Sequence, residues 1–303
     1  MLRVGLALPV FTNDPARALE VAHEAESLGF DGVFASDHLL PVGGPADAPA
    51  LECFSTLAAV GAITGRVAVG ALVTRVGLRS PGMIAKLGAT LDMITDGRAV
   101  LGLGTGDHLS EREHDMFGFP IESPAVRTER LAENVEAVRA LLAGAAFAGG
   151  DLVPSLEGPI LPGPVRAGGP PIWIGGTSER VIGVAARSAD AWNGWGLSLG
   201  SFSEKVKQLY DLATTGSSPR DVEATWGGIV LVGEDEADAT RLAAERTARG
   251  REQPAFVGSA DRTVEWLTGL RDAGATWTIL LLAGPADRRT LVAEQVLPRL
   301  TRV

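Results

Sequence analysis

The chain has a single cysteine, Cys53, among 303 residues. It can therefore form no internal disulfide and no multi-cysteine metal site, and Cys53 reads as a small buried hydrophobe. A long basic run is also missing. The formal charge is −10, from 27 Lys and Arg against 37 Asp and Glu. A phosphate backbone has little to hold on such a surface, which argues against a nucleic-acid partner. Nor is there a long hydrophobic run. The opening MLRVGLALP is broken at Pro9, too early for a signal peptide or a membrane span. No membrane partner and a cytoplasmic location are expected.

What is present is a composition of 46% hydrophobic and 21% charged residues, that of a globular chain and not a disordered one. Apolar runs alternate with helical patterns from end to end. Strands are expected at 3–9, 32–36, 66–73, 98–104, 170–176, within ADAWNGWG, at 225–233 and at 276–284. Asp14-Pro15 and Ser123-Pro124 read as helix starts. Met83, Ile84, Leu87, Leu91 and Ile94 share one face of a helix. Leu131, Val135, Val138 and Leu142 do the same at 4-3-4 spacing. Eight strand–helix units favour a (β/α)8 TIM barrel over a doubly wound sheet. One barrel domain over 1–303 is expected, with insertion loops at the C-terminal face near 39–51, 107–123 and 144–171, the last with a small hairpin.

In such a barrel the chemistry lies just past the strands. Strand two ends in Ser36-Asp37-His38, strand three in Val73-Thr74-Arg75, strand five in Gly175-Gly176-Thr177-Ser178 and strand six in Trp192-Asn193-Gly194-Trp195. Strand four runs into VLGLGTGDHLSE, where Gly102, Gly104 and Gly106 are spaced G-x-G-x-G and not as a dinucleotide fingerprint. Histidine exchanges protons near neutral pH, so His38 suits general acid–base work. A turn such as Gly175–Ser178 before a helix turns free N–H groups toward an anion. Asp107, His108 and His114 match no known metal spacing, no metal is expected, and both histidines read as surface or rim residues.

These residues resemble the luciferase-like flavin monooxygenase superfamily. The likeness runs through VGLALP, ALEVAHEAESLGFDGVFASDH, AKLGATLDMITDGR, PPIWIGGTSERVIGVAARSADAWNGWG and FVGSADRTVEWLTGLRDAG, nearly the whole chain. It implies a barrel binding FMN or the deazaflavin coenzyme F420. In the F420-dependent branch an Asp-His pair, here Asp37 and His38, contacts the deazaflavin and sets the His beside the reacting ring. A Thr-Gly-Glu-x-Leu-Asn-Glu segment after strand four matches Thr105, Gly106, Asp107, Ser110 and Glu111. It makes Thr105, Gly106 and Ser110 cofactor contacts and Asp107 a second acid–base group. Asp107 replaces the branch's Glu and Ser110 its Asn, and both departures bear on the sugar-phosphate dehydrogenase activity known there. The likeness also implies a non-proline cis peptide at Leu72–Val73, with Leu72, Val73 and Thr74 behind the cofactor ring, and a phosphate turn at Gly175, Gly176 and Thr177. Phe11 and Trp195 would line the substrate side, and Arg75, Arg79 and Lys86 would offset the cofactor's acidic tail.

The activity implied is hydride transfer between F420 and a small alcohol, aldehyde or activated alkene. An FMN-dependent monooxygenase using O2 and a non-catalytic flavin-binding protein are the alternatives. A homodimer is expected.

Overall fold

The computed structural model describes residues 1–41, 48–106, 110–215 and 221–300. β1 (Arg3–Ala7), β2 (Gly32–Ala35), β3 (Ala68–Arg75), β4 (Ala99–Gly104), β5 (Ile172–Gly175), β6 (Ala191–Trp195) and β7 (Glu223–Gly233) pair in chain order, all parallel. β8 (Phe256–Ser259) adds to the far end of β7 outside the ring. β9 (Ala275–Ala283) pairs with both β7 and β1 and closes a barrel of eight parallel strands. The expected fold class and all eight barrel strands are found. β8 was not expected, because four residues with a central glycine carry no period to read.

The helices start where side-chain caps stand. Asp14 accepts the Ala16 N–H to open α1 (Pro15–Ser27), and Glu52 caps α2 (Cys53–Ile63). Ser80 caps α3 (Pro81–Ile94), and α4 (Glu111–Phe117) is short. Ser123 caps α5 (Pro124–Leu142), and Ser178 caps α6 (Glu179–Ser188). Leu131, Val135, Val138 and Leu142 are all buried, as their spacing requires. In α3, Ile84 and Leu91 are buried but Met83 and Ile94 are exposed. The inward stripe there runs through Ala85, Gly88 and Ala89, small residues that bring the helix close to Leu101 of β4. Among the described residues no helix is long and apolar enough to cross a membrane.

Inside the barrel, Phe34 stacks on Trp173 at 5.4 Å and meets the edge of Trp277 at 5.8 Å. These three rings plug the bore. Beneath them, at the N-terminal ends of the strands, lies a hollow of about 410 Å³ ringed by Arg3, Arg66, Arg98 and Arg166. The charges around it are engaged. Arg3 pairs with Glu223 at 2.6 Å and lies over Trp277, and Arg98 donates to the carbonyls of Gly61, Thr64 and Val67.

The segment 144–171 corrects one expectation. It carries a small hairpin, bridged at Phe147 and Leu156. However, it joins the end of α5 to the start of β5, and helix-to-strand connections in a parallel barrel emerge at the N-terminal face. Arg166 binds the Asp92 carboxylate through its amide and the Gly97 carbonyl through its guanidinium, and Lys86 holds the Leu161 carbonyl. This segment does not wall the mouth where the chemistry belongs.

The glycines of β4 have a packing role. The register of β3 against β4 shifts between Ala71 and Thr74, and the Leu72–Val73 peptide is cis. The bulge turns the Val73 isopropyl over three glycines. A Cβ would meet it at 3.0 Å on Gly102, 2.5 Å on Gly104 and 2.8 Å on Gly175, and on Gly102 would also run into the Ala71 carbonyl. Gly102→Ala is therefore expected to destabilise the protein by about 1–3 kcal/mol, the usual range for overpacking. A denaturant melt showing no shift would mean that the bulge yields freely.

Candidate active site

The C-terminal end of the barrel brings Asp37, His38, Arg75 and the start of α4 together. Asp37 is 2% exposed. Its carboxylate is gripped by the Arg79 guanidinium fork at 2.5 and 3.1 Å and accepts the Arg75 amide at 3.3 Å. Arg79 reaches on to Glu52 at 2.9 Å and lies over Phe54. Arg75, itself 3% exposed, donates Nε–H to the Asp37 carbonyl at 3.1 Å and Nη2–H to Glu113. Of the three cations expected for an acidic cofactor tail, Arg79 is engaged with Asp37 and Glu52 and Lys86 with the Leu161 carbonyl, whereas Arg75 keeps one buried nitrogen, Nη1, without a partner.

Glu113 is the residue that sequence reasoning missed. It projects from the buried face of α4 and is 2% exposed. One oxygen lies 2.7 Å from His38 Nδ1, and the other accepts the Leu39 N–H at 2.6 Å together with the Arg75 bond. Burial pushes the Glu113 carboxyl up. The His38 and Leu39 hydrogen bonds and the neighbouring Arg75 charge outweigh that push and hold its pKa below the ordinary 4.5. The signal was present in EREHDMF, but every position of that helix except the last two is charged or a histidine. The pattern alone cannot say which side chain faces inward.

His38 is partly exposed, its ring edge-on to Phe11 at 6.2 Å, and its Nε2 has no hydrogen-bond partner among the described residues. Phe11 and Trp195 are both exposed, Trp195 lying against Gly227. Leu72 and Val73 are half-buried inside the bulge, whereas Thr74 is fully buried with Oγ1 unpartnered. The Thr74 hydroxyl is thus a buried group without a partner, as Ser110 Oγ is.

Thr105 bonds the Gly106 carbonyl, and Gly106 has φ +70°. Ser110 Oγ and the Arg75 stem stand next to that glycine, and Ser110 Oγ and Arg75 Nη1 are buried donors without partners. Such orphaned groups carry a desolvation cost that an anion would relieve. At the end of β5, Gly176 has φ +141° and its amide reaches the Asn193 carbonyl, leaving Thr177 exposed ahead of the first turn of α6.

Asp107 lies outside the described residues, as does His108. His114 is not at the surface. It is 6% exposed, with Nδ1 against the Pro120 carbonyl and its ring edge-on to Phe119. Among the described residues no group of three or more His, Cys, Asp or Glu could hold a metal ion. Cys53 is buried beside the Ala35 carbonyl, and burial pushes its thiol well up.

Comparison with known proteins agrees with this architecture. An F420-dependent glucose-6-phosphate dehydrogenase of Nakamurella multipartita is 36% identical over 183 residues, 59% of this chain and 51% of the relative. The chain spans about half the length, or less, of the curated relatives it matches. A solved F420-dependent secondary alcohol dehydrogenase, in complex with an F420–acetone adduct, superimposes with a TM-score of 0.83 over 99% of both chains at 19% identity. An EDTA monooxygenase from Chelativorans sp. BNC1 does so at 0.80 and 17%, over 99% of this chain and 93% of that one. At these identities the structural likeness establishes the fold. The family model for luciferase-like monooxygenases matches residues 2–288, and the chain belongs to that family.

Proposed function

We propose that this protein is an F420-dependent oxidoreductase acting on a small alcohol, aldehyde or activated alkene. The observation that carries the proposal is His38, fixed through Nδ1 and open at Nε2 in the barrel mouth. The residues fit a deazaflavin. Leu72 and Val73 offer a half-buried apolar surface, and Arg75 Nη1 and Ser110 Oγ offer unpartnered donors beside Thr105 and Gly106. The Gly176 amide is held by the Asn193 carbonyl, so the second set of amides is that of the first turn of α6, just past Thr177. Curated relatives 36–39% identical over 43–59% of this chain are named F420-dependent enzymes, which favours F420 over FMN.

When bound, F420 supplies the two-electron hydride chemistry. The chain handles the proton and the geometry. On oxidation of an alcohol the carbon gives up a hydride and the C=O bond forms as the hydroxyl proton passes to His38 Nε2; reduction runs the reverse. Asp37 holds Arg75 and Arg79 in place and does not itself touch the substrate. Asp107 is a second acid–base group, and Phe11 and Trp195 flank the substrate. In this reading the protein works as a homodimer in the cytoplasm.

Tryptophan fluorescence of the purified protein, titrated with F420 and with FMN in the same buffer, tests it. F420 is expected to bind at least about tenfold more tightly, a difference of about 1.4 kcal/mol. Tighter FMN binding would move the function to monooxygenation.

A further inference from the structure

We propose that Glu113 is a positioning residue that locks the tautomer of His38, setting Nδ1 as the permanent donor and Nε2 as the only nitrogen that exchanges a proton with substrate. The inference rests on the reading of His38 as the acid–base group, and it concerns a residue 75 positions away that no motif connects to it.

An ionised carboxylate only accepts. Glu113 is buried and receives donors on both oxygens, His38 Nδ1 on one and the Leu39 amide with Arg75 on the other. His38 Nδ1 must therefore carry hydrogen, whether the ring is neutral or cationic. Nε2 is then a bare lone pair in the neutral ring and an N–H donor in the cation. Those are the two states a proton carrier needs, and they occur on the ring nitrogen that has no partner among the described residues.

The grip is double. Glu113 holds the His38 ring and also the amide of the next residue, so the backbone is pinned with the side chain. The charged groups packed around His38 among the described residues are Glu113 and Arg75, with Asp37, Arg79 and Glu52 behind them. Three carboxylates face two guanidiniums, an excess of one negative charge. Protonation of His38 at Nε2 would balance it, so the surroundings accommodate the cation formed when substrate gives up its proton. A carboxylate on the far nitrogen of a general-base histidine supplies both orientation and charge balance. Here the carboxylate comes from α4 and not from the loop after β2 that bears the histidine.

The test needs no cofactor to begin. In the protein alone, with ¹⁵N-labelled histidine and His38→Asn used for assignment, the neutral His38 ring is expected to show Nδ1–H and an unprotonated Nε2. An Nε2–H tautomer in the unmodified protein would overturn the proposal directly. Glu113→Gln keeps the side-chain shape but can present either an acceptor or a donor, so the two tautomers should mix. With F420 and an accepted alcohol, kcat for that variant is expected to fall by about 10²-fold or more, while the F420 dissociation constant stays within about threefold, under 1 kcal/mol.

A purely structural role would give the opposite pattern: an unchanged tautomer, with lowered thermal stability and weakened F420 binding in step. If the tautomer is locked as stated but no alcohol reduces F420, the Glu113 assignment stands and the proposed activity falls.

Discussion

Replacing His38 with asparagine is expected to lower kcat for F420 reduction by about 10²–10⁴-fold, the range a positioned acid–base group contributes. The F420 dissociation constant should change little, because the orphaned donors near Gly106 and the apolar bulge at Leu72–Val73 are untouched. Asparagine can still donate to Glu113, so the buried carboxylate keeps a partner and the fold should survive. Stopped-flow loss of the cofactor's visible absorbance measures the step. A fall of less than about tenfold would remove His38 as proton carrier, since a group supplying under about 1.4 kcal/mol is not carrying the proton. Asp107 would then take that role.

Replacing Arg75 with methionine is expected to cost stability more than any other single change at the site. The guanidinium is buried between Glu113 and the Asp37 main chain. Removing one partner of a buried ion pair typically costs about 3–5 kcal/mol, because the other charge is left uncompensated. Guanidinium unfolding at neutral pH reads this directly, and a loss below about 1 kcal/mol would show that water replaces the arginine, as at an exposed pair. The same network sets an acid limit. The Glu113 pKa is lower in the folded protein than its ordinary 4.5. A carboxyl shifted in that direction contributes stability above its unfolded pKa and loses it as pH falls through the folded value. Stability should thus begin to decline below about pH 4.5, and Glu113→Gln should show a shallower decline.

Much of this could be read from residue types and spacing, and the exceptions have physical causes. Asp37 and His38 stand out because ionisable groups at a strand end are unusual. Glu113 does not, because α4 is polar on nearly every position and its partner comes from the loop after β2. The glycines of LGLG invite a phosphate, yet Gly102 and Gly104 mainly make room for Val73, a neighbour supplied by another strand. The placement of 144–171 was recoverable from topology, since it lies between a helix and a strand, but its length and prolines pointed to a functional rim. Met83 and Ile94 look inward by period, whereas the tight approach of Ala85, Gly88 and Ala89 rotates α3 away from them.

The plug of Phe34, Trp173 and Trp277 also bears on ligand discovery. It separates the barrel axis into two compartments, with His38 above and the arginine-ringed hollow of about 410 Å³ below. A fragment soaked into the lower compartment cannot migrate to the upper one through close-packed rings. Inhibitors found there should leave substrate KM unchanged and act, if at all, by altering the rigidity of the strands. Binders of the lower hollow would therefore be noncompetitive, whereas competitive ones must enter from the rim that carries Phe11 and Trp195.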